Sequence, residues 1–143
     1  MPDIISVASG GFRNLLLASP ALANHVRSTN NSFKIFKQTA EGNFKAPYVL
    51  MAKLFGGEKN DNPQRSFDMI FRIGAVSVDQ VLTEEMAGLI EAALVGQWPV
   101  LNGWEPWAAI TQVQPYNEGR VIQSIPHYEN GAQYRIRAVK DKE

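Results

Sequence analysis

Between residues 65 and 94 the spacing of apolar residues changes from alternate positions to a helical repeat, and this change constrains the fold more than any other feature of the chain. In "RSFDMIFRIGAV", Phe67, Met69, Phe71, Ile73 and Ala75 share one face, while Asp68, Arg72 and Gly74 lie on the other with Ile70 as the exception. This is the alternation of a strand with one buried face. In "SVDQVLTEEMAGLIEAALVG", Val81, Leu82, Met86, Leu89, Ile90, Ala93 and Leu94 form one stripe, which predicts an amphipathic helix. Asp79, Glu84 and Glu85 sit toward its N-terminal half, where the helix dipole favours negative charge, and Gly96 is placed to end it.

The flanking segments extend the same pattern. Upstream, a helical face runs from Phe12 through Leu15, Leu16 and Ser19, with Gly10 and Gly11 weakening its start. Ser19 and Pro20 then suit the cap and first position of a new helical turn, "SPALANHV". "SFKIFKQ" alternates as a short strand, and "YVLMAKLF" predicts a more buried strand because both of its faces are mainly apolar. "GGEKNDNPQR", residues 56 to 65, has the composition of a long loop. Downstream, an aromatic connection "QWPVLNGWEPW" leads into "WAAITQVQ", a turn, "RVIQSI", a second turn at "ENG" and a closing strand. That last strand places Ala132, Tyr134, Ile136 and Ala138 on one face and Gln133, Arg135 and Arg137 on the other. Helix, strands, helix, strands is an α+β order, which predicts a mainly antiparallel sheet with two principal helices packed on one face. The length fits a single domain over residues 1 to 143, and such a domain buries roughly 70% of the surface of its unfolded chain without help from a metal or disulfide.

Charge and chemistry narrow the function. Lysine plus arginine equals aspartate plus glutamate, 14 against 14. A dedicated DNA binder is usually basic, whereas a neutral surface is compatible with assembly. The absence of cysteine removes thiol catalysis, disulfides and thiolate metal sites, and is compatible with a reducing compartment. The start of the chain carries Asp3 and Arg13 around its apolar residues, and "LLLASPALA" is far short of the ~20 residues a bilayer requires. We therefore expect neither an export signal nor a membrane segment. His25 and His127 lie in unrelated segments and read as surface residues. "ASGGF" lacks the Lys-Ser or Lys-Thr of a phosphate loop, and "GGEKND" lacks the alternating oxygen ligands of a calcium loop. Glu84 and Glu85 are helix neighbours that point apart, and no serine sits in a nucleophile elbow. The expectation is a protein that is not an enzyme, with no catalytic residues, cofactor or metal.

Two groups of residues remain as candidate contacts. Trp98, Trp104 and Trp107 fall within ten residues. Such a cluster caps a small core, sits at a subunit interface or lines a ligand pocket, in that order of preference. Arg135 and Arg137 lie opposite the Tyr134 face, whereas a surface for single-stranded nucleic acid wants aromatic and basic residues together. Their face therefore meets solvent or protein.

Several phrases, in this order, resemble the small tail terminator (tail completion) proteins of long-tailed bacteriophages and prophages: "LLLASPALANHV" at 15 to 26, "APYVLMAK" at 46 to 53, "RSFDMIFRIGAVSVDQVLTEEMAGLIEAAL" at 65 to 94 and "YRIRAV" at 134 to 139. The resemblance in order and spacing extends over most of the chain. The resemblance implies a structural virion protein that forms a ring, expected as a hexamer. The ring caps the head-proximal end of the tail tube, ends tube polymerisation and offers the head-tail joining surface. The implied partners are other copies of the chain, the tail tube protein and the head-tail connector protein. The implied location is the tail or neck of a virion assembled in the host cytoplasm. DNA would pass through the ring without sequence-specific contact, and no membrane is involved. On this reading Glu58, Lys59, Asp61, Arg65, Arg135 and Arg137 are the candidate subunit or tube contacts. The alternatives are another connector or neck ring protein, a small ligand-binding or enzymatic α+β domain that uses the Trp98, Trp104 and Trp107 cluster, and a bacterial interaction module with no virion role.

Overall fold

The computed structural model describes residues 3–26, 35–37, 47–59, 65–122 and 124–141. Helices α1 (Ile4–Leu17) and α2 (Pro20–Val26) are followed by strands β1 (Ile35–Lys37), β2 (Tyr48–Lys59) and β3 (Ser66–Ser77). Helix α3 (Gln80–Leu94), a short strand β4 (Trp104–Pro106) and the strands β5 (Thr111–Ile122) and β6 (Ile125–Lys140) complete the described chain. The sheet order is β1-β2-β3-β6-β4, with β5 beside β4 on the same edge of β6. All pairings are antiparallel except β1 with β2. The helices pack on one face, α1 and α2 over β2, α3 over β3 and β6. This is the expected α+β class, with α2 as a third, short helix.

The alternating faces are where the sequence put them. Phe67, Met69, Phe71, Ile73 and Ala75 of β3 and Ala132, Tyr134, Ile136 and Ala138 of β6 are all buried in one cluster with Phe12, Leu16, Met86, Ile90 and Leu94 from the helices. The stripe of α3 needs one correction. Val81 is 71% exposed, and Thr83 is buried in its place, accepting a hydrogen bond from Asn130 Nδ2 at 2.7 Å. Asp79 caps the helix through Val81 N at 3.0 Å, and Gly96 follows it at φ +80°, where a left-handed residue ends a helix cheaply. Ser19 caps α2 as expected, with its Oγ accepting from Leu22 N at 3.4 Å.

The first helix starts earlier than its apolar period suggests. Asp3 accepts from Ser6 N at 2.8 Å and opens α1 at Ile4, so Gly10 and Gly11 lie inside the helix. The two glycines are not equivalent. A Cβ on Gly11 would lie 2.6 Å from Leu101 Cδ2 and 3.3 Å from Pro99 Cβ, whereas one on Gly10 meets nothing within 4 Å. Gly11 therefore lets α1 seat against the 99–101 segment. We expect Gly10→Ala to stabilise the fold by about 0.5–1 kcal/mol through helix propensity. Gly11→Ala should destabilise it. Denaturant melts of the two variants check this, and equal shifts would contradict the packing.

Two loops read from composition turn out to be strand. β2 continues through Gly56–Lys59, paired with Met69–Ser66, so four of the ten residues assigned to a loop at 56–65 lie in the sheet. A bulge between Lys53 and Phe55, with Gly56 at φ +88°, lets the strand bend and keep pairing. The same bulge ends the burial: Tyr48–Met51 are buried, but Leu54 and Phe55 are exposed, against the expectation of a strand apolar on both faces. Downstream, the turns expected after Gln114 and at 129–131 are absent. β5 and β6 form one long hairpin whose closing residue Ser124 has φ 65°. Pro115 is accommodated because β5 is an edge strand, where a missing N–H can face away from the ladder.

Candidate assembly surface

The sheet face away from the helices carries the charged residues that the strands alternate outward. Arg72 on β3 reaches Glu118 on β5 at 2.5 Å and Glu129 on β6 at 3.2 Å. Tyr116 on β5 donates to the same Glu129 at 2.5 Å, and the Arg72 guanidinium lies 4.0 Å from the centroid of its ring. Tyr116 lies across Gly74: a Cβ there would collide with its hydroxyl. The group ties three strands together and keeps the buried Glu129 hydrogen-bonded, as a buried carboxylate requires. Burial, reinforced by Glu129, pushes the Tyr116 hydroxyl well above the ordinary tyrosine range, and burial does the same to Tyr134.

The candidate contact residues fall into two places. Arg135 is held by Asp68 across the β3–β6 ladder, with Nε 2.8 Å from Oδ1 and Nη2 on Oδ2. Arg137 stacks over the Trp107 ring at 4.9 Å. The outward arginines thus have partners in their own chain while remaining partly exposed. Glu58 and Arg65 form an ion pair at the far end of the β2–β3 hairpin, and that hydrogen bond holds the Glu58 carboxyl below its ordinary range. Lys59 ends β2 opposite Ser66, and Asp61 lies outside the described residues.

The tryptophans do not form one site. Trp104 is buried against Phe67, ring centroids 4.9 Å apart, and caps the core. Trp98 and Trp107 are more than half exposed. A half-open cleft of about 420 Å³ does lie beside Trp104, lined by Asp3, Glu58, Arg65, Asn102 and Lys140 among others. Arg65 and Lys140 both sit near the Trp104 ring, at 5.8 and 5.3 Å from its centroid, and neither of the other two tryptophans lines the cleft. Among the described residues no group of three His, Asp or Glu side chains is placed to hold a metal ion, and no helix is long and apolar enough to cross a membrane.

What the sequence did not point to is a feature beside β5, on the same edge of β6 as β4 but further along it. An open groove of about 400 Å³ runs between α3 and β5, lined by Glu84, Ala87, Pro115, Tyr116, Asn117 and the Asn130–Gly131 pair of β6. Beside it, the outer edge of β5 has no strand partner among the described residues. The same is true of β2 beyond Met51, where β1 ends, and there the bulge presents Lys53, Leu54 and Phe55 to solvent. The residues that form the groove are thirty apart in sequence, and no local pattern signals their meeting.

No protein-family model matches the chain, and no curated protein matches it. Among solved structures, a chain in the virion of the native gene transfer agent (GTA) particle is similar at 17% identity and a TM-score of 0.73, over 94% of this chain and 98% of that one. A second solved structure is similar at 11% identity and a TM-score of 0.56, over 97% of this chain and 96% of its own. At these identities the likeness is one of fold, and it runs over nearly the full length of each chain.

Proposed function

We propose that this protein is a structural component of a phage-like virion and, within it, a tail terminator. In this reading it forms a ring, as a hexamer, that caps the head-proximal end of the tail tube, stops tube growth and offers a surface to the head-tail connector. The observation that carries the reading is the end-to-end fold likeness to a chain of a gene transfer agent virion. Two further features support it. Among the described residues the outer edge of β5, and β2 beyond Met51, have no strand partner, and such edges pair with other chains unless they are blocked. The surface as a whole is neutral, which leaves little self-repulsion between copies. The protein acts through assembly rather than catalysis, with no cofactor. Its neighbours are other copies of itself, the tail tube protein and the connector, and DNA passes through the ring without being read.

The test is the mass of the particle, by light scattering, for the protein alone and mixed with the tail tube protein of the same virion. The expected result is a closed oligomer of six copies in at least one of the two samples, and tubes of limited length in the second. A monomer in both samples, with tube growth unaffected, contradicts the reading. The cleft beside Trp104 is the one observation that favours a second reading, a small ligand-binding domain. That reading requires a monomer or dimer, so the same measurement separates the two.

A further inference from the structure

We propose that the groove between α3 and β5 of one copy receives the bulged Lys53–Phe55 segment of a second copy, so that neighbours join head to tail across opposite edges of the sheet. This rests on the ring reading above and assigns the surfaces that make the ring.

The first observation is the placement of the two features. Sheet order puts β2 on one side of the molecule and β5 on the other, with β3 and β6 between them. An interface that joins two different surfaces is heterologous, and a heterologous contact generates a ring when its rotation closes. A contact of the groove with itself would give a two-fold dimer instead. The second observation is shape and polarity. Phe55 is 60% exposed on a strand edge that has no partner among the described residues, with Leu54 exposed beside it at the bulge, and a large exposed aromatic at such a place marks a contact site. The groove on the far side is walled by Ala87 and Pro115, and has Glu84 on its helical wall.

The third observation is charge, and it selects a second copy as the occupant. From Ile73 to Gly119 the chain carries six carboxylates, Asp79, Glu84, Glu85, Glu91, Glu105 and Glu118, and no lysine or arginine. From Arg13 to Lys59 it carries seven basic residues against two acidic ones. The two stretches carry opposite net charges of −6 and +5, so the neutral total hides an uneven distribution along the sequence. The acidic stretch includes all of α3 and most of β5, which border the groove. The basic stretch includes β2, where Lys53 stands exposed next to Leu54 and Phe55. Each copy thus offers Glu84 on the wall of the groove, on a helix with three carboxylates and no basic residue, and on the other side the exposed Lys53 beside the apolar Leu54 and Phe55. Complementary potentials of this kind steer association and set its register.

A charge swap between copies tests this. Glu84→Lys and Lys53→Glu are made separately, both at exposed positions, and thermal melts are taken to verify that each variant folds. Particle mass is then measured for each alone and for an equal mixture, with and without tail tubes. Each variant alone should associate roughly tenfold or more weakly than the parent, because like charges replace an attractive pair. The mixture should regain the ring, since an alternating order restores opposite charges at every contact. Phe55→Asp should remain dissociated. If the parent forms rings and both charge variants do so equally well, or if the mixture fails to recover, the inference is overturned and the ring reading stands. If the parent never associates under any of these conditions, both fall.

Discussion

Phe71→Ala lowers the free energy of unfolding by about 3–5 kcal/mol, the usual cost of truncating a buried phenylalanine. Phe71 is the middle residue of the inner face of β3 and is almost fully buried. Its cross-strand neighbours are Lys53 on β2 and Tyr134 on β6. Its ring meets that of Phe12 on α1, centroids 5.2 Å apart and planes tilted by 52°, a geometry aromatic pairs favour. The side chain therefore joins the first helix to the centre of the sheet. Removing it leaves a cavity bounded by two strands and a helix, and the strands cannot close in without breaking ladder hydrogen bonds. Denaturant unfolding of the variant checks the figure, and a midpoint unchanged within error would mean that the face of β3 is wrongly placed.

Gly131→Ala should be at least as disruptive as ordinary core overpacking, at about 3 kcal/mol or more. Gly131 lies directly opposite Gly74 in the β3–β6 ladder. A Cβ added there would fall well inside contact distance of the Ile73 carbonyl oxygen and the Gly74 Cα, both backbone atoms in the middle of the sheet. A flexible side chain could move aside, but here the strands themselves would have to separate. Gly88→Ala, where a Cβ meets nothing within 4 Å on exposed α3, is the matched control and should not lower stability. A Gly131→Ala protein that melts with the parent would show that β3 and β6 approach less closely than described.

The two glycines that matter most in the sheet also show why part of the fold was hidden in the sequence. Inner faces were legible because alternation is a local signal: Phe67 to Ala75 and Ala132 to Ala138 are buried as their spacing predicts. The β5–β6 hairpin was not, because Pro115, Gly119 and the Asn130–Gly131 pair are residues that usually mark turns. Here they serve the sheet, Pro115 on an edge and Gly131 at a close strand approach, while the actual turn passes through Ser124. Gly56 and Gly57 misled in the same way, since a bulge and a positive φ let β2 run on through them.

The candidate surface was legible only in part. Outward placement of Arg135 follows from alternation, but its partner Asp68 depends on the β3–β6 register, which no single strand reveals. Trp104 as a core cap was readable from its aromatic setting, whereas the separate, exposed positions of Trp98 and Trp107 were not. Glu84 reads on its own as one more charge on a solvated helix. It gains meaning only where the fold brings α3 beside Pro115 and Asn117.

The central claim is a ring at the head-proximal end of a tail tube, and a density map of the assembled virion neck tests it most directly. The account predicts a closed ring of six copies of this fold between the last tube ring and the connector, helices and sheet recognisable in each copy. A map in which that position is filled by another fold, or in which this chain is found elsewhere in the particle or not at all, would contradict it.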